Sequence, residues 1–229
     1  MRSNVSHTAA EMPELMVPVR TTNSQDLKVH PASALNVSIP VPTSPKVPIS
    51  GTKSQVAFSD LVEAYRTGQP EQWTRAESAI HSCGLEALPT LLDNLQSPDG
   101  QIRELASMML SQVMPDLLYP EDPSQRPEVA PIAERLRIAL GDESVEVRVN
   151  VAVAMSLIEG EGPRLVPIFQ ELLNSELPHV RTMSVVALGG LTPHAVPAIP
   201  AIQRMSQSDP DPNTRSAAVE ALQLLQSQP

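Results

Sequence analysis

Histidine and cysteine are the side chains in this sequence that could ligate a metal or act as nucleophiles. The five histidines are His7, His30, His81, His179 and His194. No two have the i, i+4 spacing that places both rings on one face of a helix, whereas a zinc site needs three or four ligands close together. His81 and Cys83 are two residues apart, so on a helix they point in different directions. We expect no metal site, no Cys/His nucleophile and no cofactor.

The other common catalytic patterns are missing as well. The glycines stand at helix ends and turns, as in Gly160-Glu-Gly162-Pro, and none forms a phosphate-binding loop. No serine has the sequence context of a nucleophile elbow, and most carboxylates fall in turns, where they are solvated. The sequence therefore predicts a protein that is not an enzyme.

Composition limits both the fold and the partners. Of the 229 residues, 41% are hydrophobic but only 2% are aromatic, so the core must consist of Leu, Val, Ile, Ala and Met, which favours stacked helices. Residues 1–55 hold five basic and three acidic groups, which leaves 11 basic and 23 acidic groups in residues 56–229, a net charge of −12. Such a surface is repelled by phosphate backbones and anionic lipids. We expect no nucleic-acid partner.

Residues 1–55 form a tail without hydrophobic periodicity, in which Ser, Thr, Asn and Pro dominate. The stretch 39–48 alternates proline with aliphatic residues. Proline removes backbone donors and favours extended geometry in the residue before it, so neither a helix nor a sheet can form there. The sequence predicts a disordered N-terminal tail.

Signals for a membrane or for export are weak. No apolar run approaches the roughly 20 residues needed to span a bilayer. Glu11, Pro13 and Glu14 interrupt the only candidate for the apolar centre of a signal peptide. We expect a soluble, cytoplasmic protein that does not associate with membranes.

A recurring pattern organises the rest of the chain. Residues 142–160 open with an acidic turn, pass through Val-Arg and continue as small aliphatic residues up to a glycine, and weaker copies occupy 177–190 and 211–225. One arginine near the start of each copy marks the repeat: Arg75, Arg103, Arg148, Arg181 and Arg215. Their spacings are 28, 45, 33 and 34 residues, and the long interval contains a proline-rich insert at 115–127. Without the insert, a period in the low thirties fits throughout.

A period of this size, with two helices per unit and no strands, indicates an α-solenoid, an all-α fold in which stacked helix pairs bury one continuous core. We predict the solenoid over residues 56–229. It opens with a capping helix at 56–67, continues with about four helix pairs and closes with a terminal helix at 213–226. The second helix of each pair is expected to open with a proline: Pro89, Pro131, Pro167 and Pro200.

The acidic turn, the Val-Arg pair, the Ala-rich first helix and the proline-opened second helix resemble HEAT repeats over about residues 71–226. They are most similar to the short HEAT-like repeats that are also found in bilin-lyase subunits. The resemblance implies that the repeat arginines are architectural. An acidic residue precedes Arg103 and Arg215 by four positions, and precedes Arg148 and Arg181 by five. We expect this acid at the helix N-terminus and the arginine bridging it to the neighbouring unit.

The surface of the solenoid is the expected place of function, because the second helices normally line its concave side. Aligning these helices places polar side chains in neighbouring rows: Glu134, Arg135, Gln170, Glu171, Gln203 and Arg204. The row of Arg135, Glu171 and Arg204 alternates in charge, so it either neutralises itself or orients a partner peptide. Tyr119, beside two acids in the insert, is a second candidate contact. We predict an interaction scaffold that binds another protein, with a basic segment as the expected partner.

Two other functions stay open at this point. The bilin-lyase resemblance implies a subunit of an enzyme that attaches or removes a chromophore together with a second subunit. HEAT-like DNA glycosylases share the architecture but need a basic concave face with aromatic residues, whereas this chain has a single tryptophan, Trp73, and a strongly acidic solenoid.

Overall fold

The computed structural model describes residues 51–227, so the predicted tail lies outside the described residues except for its last five positions. Within the described range the chain forms ten α-helices and no β-strand. The helices are α1 Lys53–Thr67, α2 Pro70–Cys83, α3 Ala87–Asn94, α4 Gly100–Leu118, α5 Val129–Ala139, α6 Val145–Ser156, α7 Gly162–Leu172, α8 Pro178–Gly190, α9 Ile199–Ser208 and α10 Pro212–Gln226.

The helices stack as four consecutive pairs between two flanking helices. The first helices of the pairs are α2, α4, α6 and α8, and the second helices are α3, α5, α7 and α9. At the two ends, α1 packs against α2, and α10 packs against α8 and α9. Contact is extensive between α4 and α6 and between α8 and α10, but less extensive between α6 and α8. The prediction of an all-α solenoid is confirmed.

The core is aliphatic, as the composition predicts. Among the large side chains that are fully buried in the described residues, Phe169 is the one aromatic residue, and Leu110, Leu136, Met155 and Leu188 are typical of the others. Helix α6 contacts α4, α5, α7 and α8. Helix α6 is apolar around most of its circumference and lacks a polar face, as is typical of a helix with neighbours on several sides.

Helix α1 begins at Lys53, three residues before the predicted start of the capping helix. The hydroxyl of Thr52 accepts a hydrogen bond from the amide of Gln55, and the Gln55 side chain accepts one from the amide of Thr52 at 2.9 Å. This capping box satisfies two amides that the helix itself cannot bond. At the other end, Gly68 has a φ of 64°, a left-handed conformation that favours glycine. The division of the chain at residue 55 stays a prediction.

The proline-rich insert is shorter than the range 115–127 that we predicted. Helix α4 runs through Pro115 and ends at Leu118. Leu117 and Leu118 are buried, so the packing of this last turn offsets the hydrogen bond that a proline inside a helix removes. The irregular segment between α4 and α5 is therefore residues 119–128, which contain a short 3-10 turn.

Proline stands within the first three residues of three second helices, at Pro89, Pro131 and Pro200. Helix α7 differs, because Pro167 lies inside it. Its first turn already contains Pro163, at a position where the missing amide costs no hydrogen bond.

Helices α8 and α10 approach each other closely at Gly189. A Cβ atom added there would lie 3.0 Å from both the Cα and the Cβ of Ala221. Both residues are buried. The missing side chain of Gly189 therefore sets the distance between these two helices.

Replacing Gly189 with alanine is expected to destabilise the protein by about 1–3 kcal/mol, because the new methyl group must push α8 and α10 apart. At a helix position with free space around the glycine, the same change would stabilise the protein by up to about 1 kcal/mol. The sign of the effect therefore shows whether Gly189 is in close contact with α10. Gly100→Ala is the control, since its Cβ would meet the Arg103 side chain at an ordinary 3.7 Å. Urea unfolding measures both variants, and a more stable G189A protein would contradict the close approach.

Candidate protein-binding surfaces

Four of the five repeat arginines hold the turn that precedes them in the same way. They are Arg103, Arg148, Arg181 and Arg215. In each, Nη1 donates to the backbone oxygen six residues earlier at 2.7–3.0 Å, and to the backbone oxygen five residues earlier at 3.2–3.5 Å. These contacts tie each first helix, and α10 in the same manner, to the turn that leads into it.

The residue six positions before each of these arginines is a serine or an aspartate: Ser97, Asp142, Ser175 and Asp209. We call it the turn residue. Its side-chain oxygen accepts a hydrogen bond from the amide two residues further on, at 2.9–3.2 Å. Short oxygen-bearing side chains close turns in this way, and the arginine then binds the backbone of a turn that is already formed.

Two of the arginines also reach the turn of the following unit. Nε and Nη2 of Arg103 donate to the two carboxylate oxygens of Asp142 at 2.7 and 3.3 Å. The same two nitrogens of Arg181 donate to Asp209 at 2.9 and 2.8 Å. A bidentate pair of this kind fixes both the distance and the angle between its groups. We call each pair of an arginine and the next turn aspartate a rung.

The Arg181–Asp209 rung is the more deeply buried of the two. Its side chains are 9% and 5% exposed, against 12% and 9% for Arg103 and Asp142. The hydrogen bonds from Arg181 hold the pKa of Asp209 below its usual value, and they raise the pKa of Arg181. Burial shifts both pKa values the other way, but its effect is smaller. The rung is therefore an ion pair at neutral pH.

The two rung aspartates differ from the acids that the sequence suggested, which precede each arginine by four or five positions. Two of the suggested acids also bridge units, because Glu143 accepts a hydrogen bond from Nη2 of Arg103 at 2.9 Å and Asp99 accepts one from Arg66 at 3.5 Å. One of these, Asp99, accepts a hydrogen bond from the amide of Gln101 at 3.0 Å and so caps α4. The aspartates of the two rungs stand six positions before an arginine, a spacing at which four repeats have a serine or an aspartate. Arg75 has Gln69 at this position, is exposed, and forms no side-chain hydrogen bond or ion pair within residues 51–227.

The six polar residues that we placed on the second helices lie on α5, α7 and α9. Arg135 and Gln170 are half-buried, and the other four are exposed: Glu134, Glu171, Gln203 and Arg204. We call the surface formed by α3, α5, α7 and α9 the second-helix face. Its position on the concave side of the solenoid stays a prediction.

Internal ion pairs occupy the α3–α5 part of the second-helix face. Nη2 of Arg135 donates to Asp93 on α3 at 2.8 Å. Arg137 pairs with Glu134 at 3.0 Å and with the buried Glu161 at the start of α7. The hydrogen bond to Glu161 is the main cause of a raised pKa of Arg137. Arg135 therefore has an internal partner on α3, whereas the alternating row of Arg135, Glu171 and Arg204 stays a prediction.

The α7–α9 part of the second-helix face has polar groups that the solenoid does not use. Glu171 and Arg204 are exposed, and neither forms a side-chain hydrogen bond or an ion pair with any residue from 51 to 227. The side-chain amides of Gln170 and Gln203 are also without hydrogen bonds in this range. These four groups can bind a partner without first breaking an internal contact.

Tyr119 attaches the irregular segment after α4 to the following unit. Its hydroxyl donates to the backbone oxygen of Leu157 at 3.0 Å, near the end of α6. The guanidinium carbon of Arg126 lies 5.4 Å from the centre of the Tyr119 ring, within the range of a cation–π contact. Tyr119 is thus part of the architecture. A role in binding a partner stays a prediction.

The residues that could do chemistry do not assemble in the described structure. Among residues 51–227, no three His, Cys, Asp or Glu side chains come together closely enough to hold a metal ion. Cys83 is buried, and its thiol donates to the backbone oxygen of Ala79 at 3.2 Å. None of the ten described helices combines the length and the apolar character that crossing a membrane requires.

Residues 132–223 match the family model of HEAT repeats. This part of the chain is built from HEAT repeats. The matched stretch begins in α5 and ends in α10, so it contains the Arg181–Asp209 rung and most of the second-helix face. The resemblance to HEAT repeats that the sequence showed is confirmed.

Two solved structures that are similar to this chain are an engineered and a designed protein. One is the crystal structure of an engineered protein, with a TM-score of 0.51 and 19% identity over 76% of this chain and 79% of that protein. Another is a designed armadillo repeat protein, with a TM-score of 0.48 and 19% identity over 75% of this chain and 90% of its own. No curated protein matches this chain. At 19% identity the first of these structures supports the fold alone.

Replacing Asp209 with asparagine is expected to lower the free energy of unfolding by about 3 kcal/mol at neutral pH, because Arg181 stays buried without its charged partner. Asp142→Asn is expected to lower it less, since that rung is more exposed. Glu220→Gln, at an exposed position of α10, is expected to have no measurable effect. Urea unfolding of the three variants tests the order, and equal losses would contradict it.

The same rung makes stability depend on pH in acid. Because the pKa of Asp209 is lower in the folded state, its contribution is fully present above the ordinary carboxyl value of about 4. The contribution disappears as the pH falls through the lowered, folded value. The wild-type protein should therefore lose more stability than D209N between about pH 5 and pH 2. Parallel stability curves for the two proteins would contradict this expectation.

Proposed function

We propose that this chain is a non-catalytic HEAT-repeat scaffold that binds another protein through its second-helix face. Solenoids of stacked helix pairs present extended surfaces of this kind. The observation that supports the proposal most directly is the contrast within the face. The side chains of the α3–α5 part are used in internal ion pairs, whereas Glu171 and Arg204 on α7 and α9 make no such contacts in the described residues.

The charge of the solenoid suggests the chemistry of the partner. Residues 56–229 carry a net charge of −12, and such a field attracts a positively charged segment and speeds its association. Glu171 is exposed and is the one carboxylate within helices α7 and α9, so it is the expected contact for a basic side chain. Arg204 gives the same surface one positive group, which would orient a partner that carries both signs of charge.

Site-directed photo-crosslinking in the full chain tests the location of the binding surface. We expect a photoreactive amino acid at position 171 or 204 to crosslink the same protein from a native lysate. The same group at Glu220, which is exposed on α10, should not capture it. Crosslinking from position 220 alone would contradict the proposed surface.

Glu171→Lys tests the proposed charge of the partner once it is identified. We expect the reversal to weaken binding by about 3- to 10-fold, mainly through slower association, because an exposed charge contributes up to about 1 kcal/mol. Glu220→Lys is the matched control, since it changes the net charge equally at an exposed site on α10, which is not one of the four helices of the face. Equal affinity for the wild-type protein and E171K would remove Glu171 from the interface.

A further inference from the structure

The junction between α6 and α8 is built like its two neighbours but has no rung. Nη1 of Arg148 donates to the backbone oxygens of Asp142 and Glu143 at 2.9 and 3.2 Å. Arg103 and Arg181 hold their own turns with the same geometry. Nη1 of Arg148 therefore makes the same two backbone contacts as in the two arginines that form a rung.

The difference lies in the turn residue that Arg148 would meet. At the positions of Asp142 and Asp209, the unit after Arg148 has Ser175. The Ser175 hydroxyl accepts a hydrogen bond from the amide of Leu177 at 3.2 Å. Within residues 51–227, no carboxylate lies within ion-pair distance of Arg148, and its Nε and Nη2 donate to no acceptor.

We propose that Arg148 is a binding site for a carboxylate that comes from outside this chain, namely an Asp or Glu side chain of a bound protein. The chain itself shows which ligand this geometry selects, because both equivalent forks bind a carboxylate with two hydrogen bonds. Arginine presents a rigid, planar fork that matches the carboxylate oxygens. The bound acid would complete the missing rung in place of a turn aspartate.

Two features favour binding at this junction. Arg148 is half-buried and already held by two backbone oxygens, so little side-chain freedom is lost when a ligand binds. The packing between α6 and α8 is also less extensive than at the junctions on either side, so a bound acid would displace fewer contacts between these helices. Arg215 has the same backbone contacts. No further helix pair follows it in the described residues, so this position has no junction in which a ligand could be enclosed.

The side-chain Nε–H signals of the arginines in the 15N-labelled full chain test the site, with acetate as the probe and chloride as the reference at constant ionic strength. Arg148→Lys assigns the signal. We expect acetate to shift the Arg148 signal saturably toward the position of the Arg181 signal. The signals of Arg103 and Arg181, which already bind carboxylates, should not move. Arg204, exposed and without an internal partner, should respond at least about threefold more weakly.

Ser175→Asp provides the matched variant, because it supplies the carboxylate from within the chain. In this variant the Arg148 signal is expected near that of Arg181 before any acetate is added, and acetate should no longer shift it. An equal response of Arg148 and Arg204 to acetate would show general attraction of anions to guanidinium groups and would overturn the proposal. An unchanged acetate response of Arg148 in S175D would overturn it as well. Neither result depends on the partner of the second-helix face.

Discussion

The arginine that joins a first helix to the turn of the next unit, as Arg103 and Arg181 do, is the constraint on which the stacking of the solenoid depends. One side chain does two tasks, because Nη1 holds the turn of its own unit while Nε and Nη2 bind the turn aspartate of the next. The aspartate in turn closes the following turn through its own side chain. The position of one unit is therefore transmitted to the next by hydrogen bonds with fixed geometry, and the apolar contacts only need to fill the space between them.

This arrangement explains the aliphatic core and the location of the free surface. Once the turns are locked, neighbouring helices such as α8 and α10 can approach until Gly189 meets Ala221, and large aromatic side chains would not fit between them. The second helices lie outside this layer, and their outward side chains are not needed for stacking. On α3 and α5 these side chains pair with one another, whereas on α7 and α9 they stay available. The same construction that stabilises the solenoid thus leaves polar groups of α7 and α9 without internal contacts in the described residues.

The sequence predicts the repeat well and its contacts poorly. The arginine spacing reveals the period because stacked units of equal size must place equivalent residues at constant intervals. The rung aspartates were not predicted because each lies in a turn, six residues before an arginine. The i, i+4 spacing that identifies neighbouring side chains applies only within a helix. The helix through Pro115 depends on the burial of Leu117, and the pairing of Arg135 with Asp93 depends on the offset between stacked helices. Neither is encoded in a local pattern.

The central claim is that the arginine fork couples neighbouring units, and a double-mutant cycle on Arg181 and Asp209 measures this coupling. The four proteins are the wild type, Arg181→Gln, Asp209→Asn and the double variant, each studied as the full chain by urea unfolding. If the rung joins the units, the losses in free energy of unfolding of the two single variants should sum to more than the loss of the double variant, by about 1.5 kcal/mol or more. Losses that add to within about 0.5 kcal/mol would show that the units stack without the rung and would contradict the account.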